Sequence, residues 1–285
     1  MPFDMLNTGL KKIAECALAF CKKHYGGNSM GVAVAIANEI SWRPTFFLKP
    51  DRFHILAIEV EEKLFPESLK GAAHDIEHYE DAPISVYQAC SLNAYQSDAK
   101  QTRVNLLRKH GFGIITVDDD GGVTIQHKCI PLAQHISADQ LDSELGSLTP
   151  ALKVKFKQAH DTYVTNEGQG LQQAGQIVEA VINCIAKQAM KRGVISTGEA
   201  RGKLADMIDA LYSKTQFRDH RAALGAARDF VKEYRNTASH APKNARQAAL
   251  KIRKCKAGFL DAIAVATKLR IVMQQLGYKA QIYTT

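Results

Sequence analysis

Apolar positions recur at helical spacing through residues 5–24, where Leu6, Leu10, Ile13, Ala17 and Phe20 share a face and Gly26-Gly27 close the run. Residues 32–40 read equally well as helix or strand. The period then shortens. Residues 45–49 form a short β-like run, Pro50-Asp51-Arg52 is a turn, and residues 53–60 are a second strand rich in apolar and β-branched side chains, which predicts a hairpin. A polar helix is predicted over 66–80, a strand over 84–89 after Pro83, and a helix over 98–110 stopped by Gly111. A second hairpin is predicted from 112–117 and 123–127, turning at Asp118-Asp119-Asp120-Gly121-Gly122. Helix, hairpin, helix, strand, helix, hairpin is the order of an α/β domain over residues 1–140.

Past residue 135 the strand pattern stops. Residues 136–150 read as a connecting segment containing Ser, Asp and Gly and ending at Pro150. Helical periodicity follows over 151–164, 169–191, 199–213, 219–237 and 244–276, with Gly193 and Gly277 placed where helix ends need a positive φ. Short connections make an antiparallel bundle the expected architecture for residues 141–285. The expected class is therefore α+β, an α/β domain followed by an all-α bundle.

Charge sharpens this division. Of the formal +8, residues 1–140 contribute −3, from 14 Lys and Arg against 17 Asp and Glu, and residues 141–285 contribute +11, from 23 against 12. An electrostatic contact with nucleic acid would fall in the second half. The six cysteines have no CxxC or zinc-like spacing, as expected of reduced thiols in a cytoplasmic protein. No signal peptide is expected, because the apolar stretch Ala17 to Phe20 is short and flanked by Lys11, Lys12, Lys22 and Lys23, and no membrane span, because no apolar run approaches 18 residues.

The stretch most suggestive of chemistry is Glu233-Tyr234-Arg235-Asn236-Thr237-Ala238-Ser239-His240-Ala241-Pro242. Pro242 disfavours helix at Ala241, so a helix should end near His240. On a regular helix Arg235 and His240 would lie about 140° apart, so convergence needs a distorted helix end or a second subunit. An Arg followed by His at such spacings arises by chance roughly once in a chain of this composition, as Arg103 and His110 illustrate; the Asn after Arg235 makes this match more specific.

Arg235, Asn236 and His240 resemble the motif of the HEPN superfamily, helical bundles carrying an Arg, four to six residues and a His, often with a polar residue after the Arg. The resemblance covers roughly residues 150–285. It implies a metal-independent endoribonuclease without cofactor, usually a homodimer in which two motifs face each other in a composite site. Elementary chemistry agrees with it. Attack of a 2′-hydroxyl on its neighbouring phosphate needs a group that exchanges protons near neutral pH, the role of His240. It also needs a fixed cation for the developing negative charge, the role of Arg235. Asn236 would orient the phosphate or the imidazole, and Ser239 would donate a hydrogen bond to RNA. Lys243, Arg246, Lys251 and Lys254 follow at spacings that suit a backbone-tracking surface. The plainer reading is Arg235 paired with an acidic neighbour, His240 capping the helix, and the lysines on a solvated face.

The first hairpin resembles the core of restriction-endonuclease-like domains, which hold a metal ion through an Asp opening one strand and a Glu-x-Lys ending the next. Here Thr45 occupies the Asp position and Glu59-Val60-Glu61 the Glu-x-Lys position. The resemblance thus implies a domain that has lost its metal chemistry and serves sensing, binding or oligomerisation. A shifted alignment gives a rival metal-dependent DNA nuclease built on Asp51, Glu59 and Glu61. His74 and His78, one helical turn apart, are weaker metal candidates.

These readings predict an endoribonuclease of the toxin or antiviral, abortive-infection kind, restrained or triggered through its N-terminal domain by a protein or nucleic acid. The alternatives are a non-catalytic helical module for binding or dimerisation and the metal-dependent DNA nuclease.

Overall fold

A computed structural model describes residues 2–27, 29–234, 241–279 and 282–283. The protein is mixed α+β, with one six-stranded mixed sheet. The chain divides into two compact units, residues 1–138 with 242–253, and residues 139–241 with 254–285.

In the first unit, α1 (Thr8–Tyr25) begins at Asn7, whose side-chain oxygen accepts from the Leu10 N–H, and ends at Gly26 with φ +76°. The remaining elements are β1 (Ser29–Val32), β2 (Phe46–Lys49), β3 (Ile55–Val60), α2 (Pro66–His78), β4 (Ile84–Ser91), α3 (Leu92–Gln96), α4 (Thr102–Lys109), β5 (Gly113–Val117) and β6 (Val123–His127). Spatial order follows chain order. β1, β2 and β3 form an antiparallel meander, α2 carries the chain to β4 parallel to β3, β5 is parallel to β4, and β6 returns antiparallel.

Alternation across the sheet builds two cores. Phe46, Leu48, Leu56, Ile58, Tyr87 and Ile115 meet Ala14, Ala17, Leu18 and Cys21 of α1. Phe47, Ala57, Val86 and Ile114 meet Leu69, Ala72 and Ile76 of α2 and Val104 and Leu107 of α4. Helices on both faces explain why these strands read as unbroken apolar runs. Of residues 32–40, which read as helix or strand, only Val32 lies in a strand and the rest is bends, turns and connecting chain; β1 itself carries no signal because it is a half-exposed edge strand with Gly31 at its centre. A Cβ there would lie 2.4 Å from Phe47 Cε1, so packing demands a residue that weakens the strand signal.

Pro242–Arg253 joins this unit, an outcome outside the expected boundary at residue 140. Ala245 packs against the α2 and α4 core, and the Arg253 guanidinium donates to the Tyr79 carbonyl. A helical pattern running unbroken from 244 to 276 carries no mark of that allegiance.

In the second unit the described residues are all helical or connecting. α5 (Ala138–Leu145) occupies part of the expected connecting segment and buries Leu141 and Leu145. α6 (Pro150–Thr165) and α7 (Glu167–Lys191) turn on Asn166, whose Oδ1 accepts from the Gln169 N–H. Then come α8 (Thr197–Ala200), α9 (Leu204–Ser213), a 3-10 turn (Thr215–His220), α10 (Arg221–Tyr234) and α11 (Ala245–Gln275). The expected 199–213 helix is thus two helices broken at 201–203. Phe259 of α11 packs its ring 5.0 Å from Tyr163 and 6.4 Å from Phe156, tying α11 to α6. Among the described residues no helix is long and apolar enough to cross a membrane.

Candidate functional site

Arg235, Asn236, Ser239 and His240 lie outside the described residues, which resume at Ala241. The residue that delivers the chain to them is Tyr234. Tyr234 ends α10, with its ring 5.4 Å from that of Phe230 and its hydroxyl donating to Asp261 Oδ2 of α11 at 2.8 Å. Burial raises the phenol pKa above its ordinary value, and the Asp261 hydrogen bond and charge add to this, so Tyr234 stays neutral and keeps donating. Gly258 of α11 makes room for the ring; a Cβ there would lie 2.6 Å from Tyr234 Cδ1.

Tyr234 also lines a cleft of about 970 Å³ formed by α7, the α8–α9 connection and α10. Gln169, Gln172, Gln176 and Glu179 contribute from α7, and Lys203 contributes from the connection. At spacings of three and four these α7 residues share a helix face, and Gly175 on that face leaves the cleft open. The start of α8, ahead of that connection, is held by a reciprocal cap: Ser196 Oγ accepts from the Glu199 N–H, Glu199 Oε2 accepts from the Ser196 N–H at 2.6 Å, and Lys214 reaches Glu199 Oε1 at 2.9 Å. These donors, led by the Ser196 N–H, hold the Glu199 carboxyl down at about 2. A set of primary amides, one carboxylate and one ammonium suits a planar polar ligand bound by hydrogen bonds. The one trace of this cleft in the sequence is the polar, glycine-rich run Gly168-Gln169-Gly170-Leu171-Gln172-Gln173-Ala174-Gly175-Gln176 inside a long helix, which carries no recognised motif.

The expected RNA-binding cations stand just before α11, at Lys243, and along its first three turns. Lys243, Arg246 and Lys251 belong to the first unit and Lys254 to the second. The Arg246 guanidinium lies 3.7 Å from the Glu80 carboxylate, both exposed, and the Lys243 N–H donates to Gln247 Oε1. Along α11 itself, Arg246, Lys251 and Lys254 span an arc of about 140°.

In the first unit, β2 and β3 pair so that Thr45 Oγ1 donates to Glu59 Oε1 at 3.2 Å, while Trp42 Nε1 donates to Oε2 at 3.1 Å. Thr45 Oγ1 also accepts from the Val60 N–H. Burial pushes the Glu59 carboxyl up to about 7; the Thr45 and Trp42 hydrogen bonds oppose the shift and the Glu61 charge assists it. Sequence reasoning found Glu59 but not Trp42, which precedes the strand and carries no motif.

Asp51 is not brought to Glu59 and Glu61. It sits in the β2–β3 turn, where it accepts from the Phe53 and His54 N–H groups and pairs with His54 at 3.0 Å. β3 separates it from Glu59 by about 13 Å of strand. The His74 and His78 rings meet at 4.3 Å, tilted by 39°, with His78 Nδ1 donating to the His74 carbonyl. Among the described residues no group of three or more His, Cys, Asp or Glu side chains is arranged to hold a metal ion. Asp118 accepts from the Asp120 and Gly122 N–H groups and shapes the β5–β6 turn. No protein-family model matches the chain, and no curated protein or solved structure matches it.

Proposed function

We propose that the protein is a metal-independent endoribonuclease whose chemistry is carried by Arg235, Asn236 and His240. The observation that carries this reading is Tyr234. It is fixed through its ring and hydroxyl, it borders an open cleft lined by both polar and apolar side chains, and it is followed directly by the Arg-Asn-x3-His sequence.

In the proposed reaction His240 takes the proton of a ribose 2′-hydroxyl, whose oxygen attacks the adjacent phosphorus. The bond to the 5′-oxygen breaks, and that oxygen receives a proton from an imidazolium. Arg235 balances the charge that builds on the phosphoryl oxygens, and Asn236 orients the phosphate or the ring. A homodimer places a second motif opposite the first and so provides both base and acid. The first unit, with Thr45 beside Glu59 where a metal-binding pair of acids would stand, acts in regulation, receiving a protein or nucleic-acid trigger. A role in toxin or antiviral defence fits an enzyme that cuts RNA.

The test is RNA cleavage in EDTA. Wild type should cleave, while Arg235→Ala and His240→Ala should be inactive with unchanged thermal unfolding. Cleavage that persists in both variants overturns the reading. Magnesium-dependent DNA cleavage lost in Glu59→Ala would instead place the chemistry in the first unit.

A further inference from the structure

We propose that the cleft beside Tyr234 reads an unpaired base next to the scissile phosphate, and that it favours bases bearing an exocyclic amine over uracil. This rests on the ribonuclease reading but deepens it through residues which that reading does not use.

The lining decides between backbone and base. A surface that tracks phosphates gathers cations, because its affinity comes from displaced counterions. Here Lys203 is offset by Glu179, and the other polar side chains used in the argument are the amides of Gln169, Gln172 and Gln176. Each amide presents a donor and an acceptor side by side, the arrangement found on base edges. Such edges are accessible in RNA where the strand is single and the bases unstacked.

Size and position agree. About 970 Å³ is near the upper end of small-ligand clefts, enough for a base with its ribose. Tyr234 lines the cleft and Arg235 is the next residue, so chain connectivity alone keeps a phosphate bound by Arg235 within a few nucleotides of a base in the cleft. Glu179 supplies the preference. A carboxylate only accepts, so it favours adenine, cytosine or guanine, which offer an amino group. The single N–H of uracil lies between two carbonyl oxygens that a carboxylate repels.

The experiment measures fluorescence anisotropy of labelled rA, rC, rG and rU oligomers with the full-length His240→Ala protein at fixed salt. Oligo-rU should bind weakest. Gln172→Ala and Glu179→Gln, both exposed on α7 and so tolerated by the fold, should each erase roughly tenfold of discrimination while leaving the salt dependence unchanged. Equal affinity for all four oligomers, or discrimination that survives both substitutions, overturns the assignment. The two readings fail separately. Base-dependent binding that both substitutions abolish, in a chain whose wild type cuts no RNA in EDTA, supports the cleft and rejects the nuclease.

Discussion

The Tyr234 hydroxyl and the Asp261 carboxylate meet at 2.8 Å and join the last turn of α10 to the middle of α11. Tyr234→Phe keeps the ring and removes the hydroxyl, leaving an exposed carboxylate that water can satisfy. The expected loss is about 1 kcal/mol, a few degrees in Tm. RNA cleavage should fall by more than this change in stability implies, because the anchor precedes Arg235. Thermal unfolding beside single-turnover cleavage checks both; activity equal to wild type would show that the anchor does not position the motif.

Two glycine substitutions separate packing from propensity. Gly258→Ala drives a methyl to 2.6 Å from Tyr234 Cδ1 and 3.0 Å from Leu171 Cδ1, so it should destabilise by about 1–3 kcal/mol. Gly225→Ala, in α10, meets nothing within 4 Å and should stabilise by up to about 1 kcal/mol through helix propensity. Urea midpoints of opposite sign are the expected result.

Glu59 makes the first unit pH-sensitive. Its folded pKa of about 7 lies above the ordinary 4.5, so the folded state binds this proton more tightly than the unfolded state. The resulting stabilisation is fully present below the ordinary value and is lost as pH rises through about 7. Glu59→Gln keeps one acceptor oxygen, which can face Trp42 Nε1, and turns the Thr45 contact round so that the amide donates to Thr45 Oγ1, but removes the titration. Wild type should therefore lose more Tm than the variant between about pH 5 and about pH 8. Parallel losses in the two proteins would refute the assignment.

Arg192 closes the end of α11. Its guanidinium donates to the Leu276 and Gly277 carbonyls at 2.8 and 2.6 Å and lies 4.5 Å from the Tyr278 ring centroid. Arg192→Ala should cost about 1–2 kcal/mol in chemical denaturation. Arg192→Lys should recover less than half of that, since an ammonium cannot reproduce the fork or the stacking.

What the sequence revealed follows from where periodicity is strong. The hairpin of β2 and β3, the long helices α6, α7 and α11, and the positive-φ glycines Gly193 and Gly277 were all legible, because burial and backbone geometry leave few residue choices there. The short helix α3 was not. It begins at Ser91, whose Oγ accepts from the Ala94 N–H, but its five residues hold too little periodicity to register. Of the candidate chemistry, Glu59 could be found from its strand. Trp42 beside it and Asp261 beside Tyr234 could not, since both pairs are made by tertiary folding. The cleft along α7 was hidden for a related reason: concavity depends on which helices α7 faces.

The discontinuous first unit has a consequence for synthesis. Because ribosomes make proteins from the N-terminus, the sheet and α1 emerge early, but their unit stays incomplete until Pro242–Arg253 has been translated. Bringing that segment back closes a loop spanning Asp139–Ala241, at an entropic cost of about 4 kcal/mol for a flexible chain. Asp261 and Gly258 emerge later still. A nascent chain released before them carries Arg235 and His240 without the α11 residues that seat Tyr234, so the motif gains its anchor only after the middle of α11 has been translated.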